Sequence, residues 1–211
     1  MNNSSERRSA VSVLQLAYAP LVNDTKDMIT YGEVVEMDNV LISAGYTPRM
    51  NSASQYAGGQ EYDSYVAKSG GTVEIQVPAL NASDEIGLFG CSEDEATGVV
   101  ASNKGDVIPN VMVIYSTETS QGFVNLYKFP KVKFTDQGET ATTKNESGIT
   151  YQAQTLSGNY SALIHTGDDK FSIKGVDPNS DEGKALINAW FSSAVGGTKL
   201  EEAEPENEQT D

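Results

Sequence analysis

An enzyme needs a side chain that attacks or titrates, held beside a partner that activates it, and this sequence is poor in both. Its single histidine is His165 and its single cysteine is Cys91. His165 ends a strand-like run and precedes Thr166, Gly167, Asp168 and Asp169, a setting for a satisfied or exposed histidine rather than a general base. Cys91 follows a helix-ending glycine and reads as a packing residue. The glycine pairs Gly58-Gly59, Gly70-Gly71 and Gly196-Gly197 lack the spacing of a phosphate-binding loop or a dinucleotide fingerprint. One stretch imitates a calcium loop, with Asp177, Asn179 and Asp181 offering oxygens at alternate positions before Gly183. The imitation fails, because the glycine comes one position late and Asn188 stands where a bidentate glutamate is required. A capped, acidic helix start accounts for the same residues. Lys128, Lys131 and Lys133 could hold an anion, but lysines along a strand more often guard an edge from stray pairing. No catalytic constellation remains, so the chain reads as a non-enzyme without metal or cofactor.

At 211 residues the chain fits one domain, and a domain of this size buries roughly 70% of the surface its unfolded form exposes. The lone cysteine excludes an intrachain disulfide, and no signal-like segment opens the sequence, so folding in a reducing cytoplasm is expected. No apolar run is long enough to span a membrane as a helix. The sequons at Asn23, Asn81, Asn145 and Asn159 are read as turn chemistry. The net charge of −16 disfavours binding to phosphate backbones. Part of it sits in the last 14 residues, where Lys199 faces Glu201, Glu202, Glu204, Glu206, Glu208 and Asp211 for a net of −5, leaving −11 on the rest.

The elements that must position these side chains are mostly strands. Residues 72–90 are the clearest stretch: Val73, Ile75 and Val77 alternate with Thr72, Glu74 and Gln76, the period of a half-buried strand, and Pro78 stops the ladder. A short helix follows, with Asn81 or Ser83 as cap, Asp84 and Glu85 in its first turn, Ile86 and Phe89 as its buried edge, and Gly90 as its stop. Upstream, residues 1–10, with Arg7 and Arg8, read as a flexible arm. A strand is expected over 11–19, ended by Pro20, and one long or two short strands over 33–46, closed by Pro48.

Residues 49–71 are short of large aliphatic groups and rich in Ser, Ala, Gly and Tyr, so they cannot build a core. Two readings stay open: a floppy surface hairpin, or an arm ordered against a neighbouring subunit. After an acidic loop at 91–98 comes a hairpin, 110–117 and 123–134, with Val111, Val113 and Tyr115 on one face and Met112 and Ile114 on the other. Such a strand lies at a sandwich centre or is covered by another chain. Strands are expected over 149–156, 160–165 and 170–174, then a helix capped by Ser180 whose apolar face carries Leu186, Ile187, Trp190, Phe191 and Ala194. The acidic segment 198–211 is expected to be disordered.

With the segment before it, MNSASQYAGGQEYDSYVAKSGG, the stretch 72–90 resembles the signature region of the major tail (tail tube) proteins of long-tailed, siphovirus-type bacteriophages. LAYAPLVND, FVNLYKFPKVKF, TATTKNESGITYQAQTLSG and ALINAWF follow the same order, so the resemblance spans residues 11–195. It implies a mainly β fold, a β-sandwich or partial barrel with two short helices. It also implies a structural virion protein whose rings, usually hexameric, stack into the tube through which DNA is ejected. Its partners would be itself, the tape measure protein, the tail terminator and distal tail or baseplate proteins, with transient passage of DNA and no membrane insertion. On this resemblance the inter-subunit arm is residues 49–71, including Asn51, Ser52, Tyr56, Gly58, Gly59, Tyr62, Tyr65, Gly70 and Gly71. Glu74 and Gln76 are the lumen-facing candidates that the resemblance implies; strand alternation itself turns them outward, either to the bore or to the tube's exterior. Six copies at −16 each carry −96, so assembly must overcome repulsion by apolar burial and strand pairing. The chain differs from longer relatives in ending on the acidic segment instead of an immunoglobulin-like domain. The rival class is a monomeric β-sandwich that binds carbohydrate or serves adhesion through exposed aromatics, which ten tyrosines keep open.

Overall fold

The structure is a computed structural model that describes residues 9–37, 41–138 and 152–192. Residues 1–8 of the expected arm 1–10, residues 139–151 with Asn145, and the acidic segment 198–211 lie outside the described residues, as do Val40, Ala194 and Gly196. Ala10, expected in the arm, is instead the first residue of a strand. The fold is mainly β, with two helices. One antiparallel sheet of nine strands runs β2-β1-β8-β9-β10-β5-β4, with β3 added to β1 and β11 to β9. The strands are β1 (Ala10–Asp24), β2 (Ile29–Tyr31), β3 (Val35–Met37), β4 (Ser43–Ala57), β5 (Gln60–Val77), β8 (Val111–Thr119), β9 (Val124–Thr135), β10 (Gln154–Tyr160) and β11 (Phe171–Val176). β6 (Ser92–Asp94) and β7 (Val99–Ala101) pair separately. The sheet does not close into a barrel, since β2 and β4 remain at its two ends.

Alternation along the strands sorts the apolar residues onto two faces. On one face Leu16, Tyr18, Val73, Ile75, Val77, Val111, Val113, Tyr115, Phe129, Val132, Phe134, Leu156 and Tyr160 form a single core with α1 (Ala82–Phe89). Strands from both halves of the sheet share that core, so the sheet bends around it. α1 begins in a capping box: Asp84 N–H donates to Asn81 Oδ1 at 2.8 Å, and Asp84 Oδ2 accepts from Asn81 N–H at 3.4 Å. Gly90 ends it in the left-handed conformation. Leu88 and Phe89 enter the core, with Ile86 half-buried beside them. The Tyr18 hydroxyl donates to Asp84 Oδ1 at 3.4 Å and ties the helix to β1. Burial and that carboxylate push the Tyr18 phenol up to about 12.

On the opposite face α2 (Asp181–Ser192) lies over Ala17, Ala19, Met112, Ile114, Val124, Leu126 and Val176 through Phe191, with Leu186, Ile187 and Trp190 beside it. Ser180 Oγ accepts the Gly183 N–H at 3.0 Å, the expected cap. The two-faced strand β8 is therefore covered on its second side by the chain's own helix.

Several sequence expectations are corrected. β1 does not stop at Pro20 but runs on to Asp24, so Asn23 and Asp24 lie in a strand rather than a loop. The missing N–H points to the side where β3 has ended and β2 has not begun, and there Gly32 N–H donates to the Pro20 carbonyl at 2.8 Å. Pro48 lies inside β4, an edge strand, where an absent donor is tolerated. Residues 161–165 are not a strand; β10 instead ends at Tyr160, with Asn159 inside it rather than in a turn. β9 is no edge, because β8 lies on one side and β10 and β11 on the other, so its lysines guard nothing. Lys128 is buried with its ammonium 4.6 Å from the Trp190 ring centre, Lys131 pairs with Asp24 at 2.7 Å, and Lys133 is exposed.

Asp24 also accepts the N–H groups of Ile164 and His165 at 2.9 and 3.2 Å. Burial pushes its carboxyl up, but the hydrogen bond from Lys131, the two N–H groups and the Lys131 charge outweigh this and hold it below the ordinary range. His165 is exposed, with Nδ1 2.9 Å from the Lys26 carbonyl.

Candidate functional site

β4 and β5 begin as ordinary members of the sheet and then leave it together. From Met50↔Lys68 to Ala57↔Gln60 they pair only with each other, and every residue from Met50 to Val66 is exposed. Eight residues at about 3.3 Å each make this a ribbon roughly 25 Å long. Its turn is the two-residue loop Gly58-Gly59 with φ of 60° and 80°, and two positive φ values mark the hairpin turn that matches strand twist. The segment is thus a regular surface hairpin.

β4 carries no extra residue, whereas the register shifts place one on β5 near each end of the ribbon. Side chains along β4 therefore alternate without interruption, and Ala44 and Tyr46, which pack on the core, share a face with Met50, Ser52, Ser54 and Tyr56. The ribbon extends the core-facing side of the sheet beyond the core. Met50, Tyr56, Tyr62, Tyr65 and Val66 stand 60–76% exposed, the densest group of exposed large apolar side chains in the described residues.

Of the residues expected at an interface, Asn51, Ser52, Tyr56, Gly58, Gly59, Tyr62 and Tyr65 lie on this ribbon, all exposed. Gly70 and Gly71 lie at its root and are buried. A Cβ on Gly70 would sit 2.2 Å from the Tyr160 carbonyl oxygen, and one on Gly71 would sit 2.3 Å from that of Thr47. Their smallness serves contacts within the chain. Glu74 and Gln76 point away from the core, and Ser43 donates to Gln76 Oε1 at 3.1 Å. Around them the outer sides of β4, β5, β10 and the end of β9 present Thr47, Thr72, Thr155, Ser157, Asn159, Lys133 and Thr135. α2 covers only the other half of this outer face, so a polar panel is left bare among the described residues.

At the ribbon's root lies a group that the sequence reading missed. Lys170 Nζ donates to the Tyr46 hydroxyl at 2.9 Å and sits 4.4 Å from that ring's centre. Lys174 donates to the Tyr127 hydroxyl and lies 3.7 Å from its ring centre. Lys68 pairs with Asp169 at 2.7 Å. The signal was the period-2 spacing of Lys170, Ser172 and Lys174, which puts both lysines on one side of β11.

No family model matches this sequence, nor does any curated protein. The site must therefore be read from its own chemistry. Among the described residues no three His, Cys, Asp or Glu side chains gather as for a metal, and no helix is long and apolar enough to cross a membrane. Asp177 Oδ1 accepts the Asn179 N–H at 3.0 Å, so the calcium-like stretch uses its first oxygen to shape the turn before α2. What the ribbon offers is main-chain edges, tyrosine faces and aliphatic area, the means of holding another protein surface.

Proposed function

We infer that this chain is a structural subunit that assembles with copies of itself, as a tail tube protein of a long-tailed phage does. The observation that carries this is the projecting ribbon, which exposes Met50, Tyr56, Tyr62, Tyr65 and Val66 with no core of its own to cover them. A two-stranded ribbon is marginal alone in water and gains by packing on a neighbour. In a ring that stacks into a tube, such an arm links one subunit to the next. In this reading the bare polar panel with Glu74 and Gln76 lines the bore. Most of it is hydroxyl, amide and carboxylate, which give phosphate little to hold, and of its cations Arg49 is engaged by Asn159 at 3.0 Å while Lys133 stays exposed. The net charge of −16 agrees with a conduit for DNA rather than a binder of it. In this reading the protein belongs to the virion and meets the tape measure, terminator and distal tail proteins at the ends of the tube.

The exposed tyrosines also favour a second reading, a monomeric module that grips sugar rings. Light scattering with negative-stain microscopy separates the two. Rings or tubes are expected, forming more readily as salt screens the acidic subunits. Removing residues 51–67 and closing Met50 to Lys68 with an Asn-Gly turn should leave the melting transition intact and abolish assembly. A wild-type protein that stays at 22.6 kDa at high concentration and salt would overturn the assembly reading.

A further inference from the structure

Two lysines at the ribbon's root are held over aromatic rings rather than against a carboxylate among the described residues. Lys68 and Lys131 each pair with an aspartate at 2.7 Å. Lys170 and Lys174 form no ion pair among the described residues, although the chain has 30 acidic residues against 14 basic ones. Instead they are held over Tyr46 and Tyr127, whose ring centres are 6.2 Å apart, with Tyr127 stacked 4.8 Å from the buried Tyr115. Burial, together with the charge of Lys170, pushes the Lys174 ammonium down against the pull of Tyr46. The result is a small cationic and aromatic platform, oriented by hydrogen bonds and open to an anion.

The ribbon's far end is its complement. From Met50 to Ala67 the only charged residues are Glu61 and Asp63, and they flank Tyr62 between the exposed Tyr56 and Tyr65. Glu61 is held by the Ser54 hydroxyl at 3.2 Å. Tyr46 and Tyr56 are ten residues apart on one strand, so roughly 33 Å separates root from tip in each copy. A paired ribbon cannot fold back over that distance, so tip and root can meet only between chains. We propose that the acidic, tyrosine-rich tip around Glu61 and Asp63 docks on the Lys170 and Lys174 platform over Tyr46 and Tyr127 of a second copy. The contact is head-to-tail and joins unlike surfaces, the type that closes into a ring or continues as a filament. It rests on the self-assembly reading and specifies which surface receives the arm.

Charge exchange tests it at fixed salt, with each variant first checked for a native melting transition. E61K/D63K and K170E/K174E should each raise the concentration needed for assembly roughly tenfold or more, because each sets like charges face to face. An equimolar mixture should assemble partly, and the fourfold variant should return to within about threefold of wild type. Misfolding cannot produce that rescue. K170Q/K174Q should give an intermediate loss. If wild type assembles and E61K/D63K assembles equally well, the docking is overturned while self-assembly stands. If only the lysine reversal blocks assembly, another acidic segment, such as residues 198–211, occupies the platform and the proposal fails. Loss in both reversals without rescue in the fourfold variant also overturns it. A wild type that never assembles overturns this proposal and the reading beneath it.

Discussion

The β8–β9 hairpin and the outer β4–β5 ribbon are both antiparallel pairs with tight connections, yet they sit at opposite extremes of burial. In β8 every residue from Val111 to Thr117 is buried, with the core on one side and α2 on the other. In the ribbon no residue from Met50 to Val66 is. Composition separates them: β8 supplies Val, Met, Ile and Tyr on both faces, whereas the ribbon spaces its apolar groups with Ser, Asn and Gln. The hairpin is held by what it buries, at about 25 cal/mol per Å² of apolar area. The ribbon is held mainly by its ladder and turn, which alone are marginal in water. Stability thus resides at one end of the sheet, and the other end is free for the assembly proposed above.

The largest test of that division is Phe129→Ala. The ring is fully buried in β9, 5.0 Å from Tyr160 and 5.4 Å from Tyr46 between centres. A cavity there should cost about 3–5 kcal/mol in urea unfolding. Tyr62→Ala at the exposed tip should shift stability by less than about 0.5 kcal/mol. Similar losses from the two would dissolve the comparison.

A sharper test compares two glycines of the same strand pair. Gly58 and Gly70 both have positive φ, 60° and 79°, but a Cβ on Gly58 meets nothing within 4 Å. Gly58→Ala should therefore cost only the left-handed strain, about 1–2 kcal/mol at most. Gly70→Ala adds the collision with the Tyr160 carbonyl and should cost about 2–4 kcal/mol, read as a lower urea midpoint. Equal costs would mean that the root yields as freely as the tip.

Much of this arrangement was legible because local pattern and tertiary role agreed. The alternation of Val73, Ile75 and Val77, the Asn81 cap, the Gly90 stop and the two faces of β8 are all where the sequence placed them. The errors arose where a residue's usual meaning was overridden by its neighbours. Pro20 and Pro48 looked like stops, but each lies where no ladder donor is needed. Asn159 looked like turn chemistry, yet it lies inside β10 beside Gly158, where the strand needs a glycine because a Cβ would come within 2.6 Å of Val132 and 2.9 Å of Phe134. At the candidate site the exposed tyrosines could be listed from sequence. The root platform could not, because Tyr46 and Lys170 are 124 positions apart and meet only once β11 is paired to β9.

Lys128 is the charged exception at the buried centre, and its removal gives an expected effect of opposite sign. It is 2% exposed beneath Trp190, and burial pushes its ammonium down to about 8 from the ordinary 10.5. A lysine depressed in the folded state binds its proton more readily when unfolded. Between about pH 8 and 10.5 the unfolded chain therefore holds more protons, and stability rises with pH across that window. Below it the full cost of burying the charge is present, offset in part by the attraction to the indole ring. Lys128→Met keeps the length and removes the charge, so it should raise stability by about 1–2 kcal/mol at pH 7. Near pH 10 that advantage should vanish, because the wild-type lysine is by then neutral in the folded state and charged only when unfolded. Tyr18, Tyr31 and Tyr115, all pushed upward by burial, destabilise the fold above about pH 10 in both proteins and cancel in the difference. Paired urea titrations at pH 7 and 9.5 measure it. A variant less stable than wild type at both pH values would show that the ammonium's contacts outweigh its burial, making Lys128 a fastener for α2 rather than a cost.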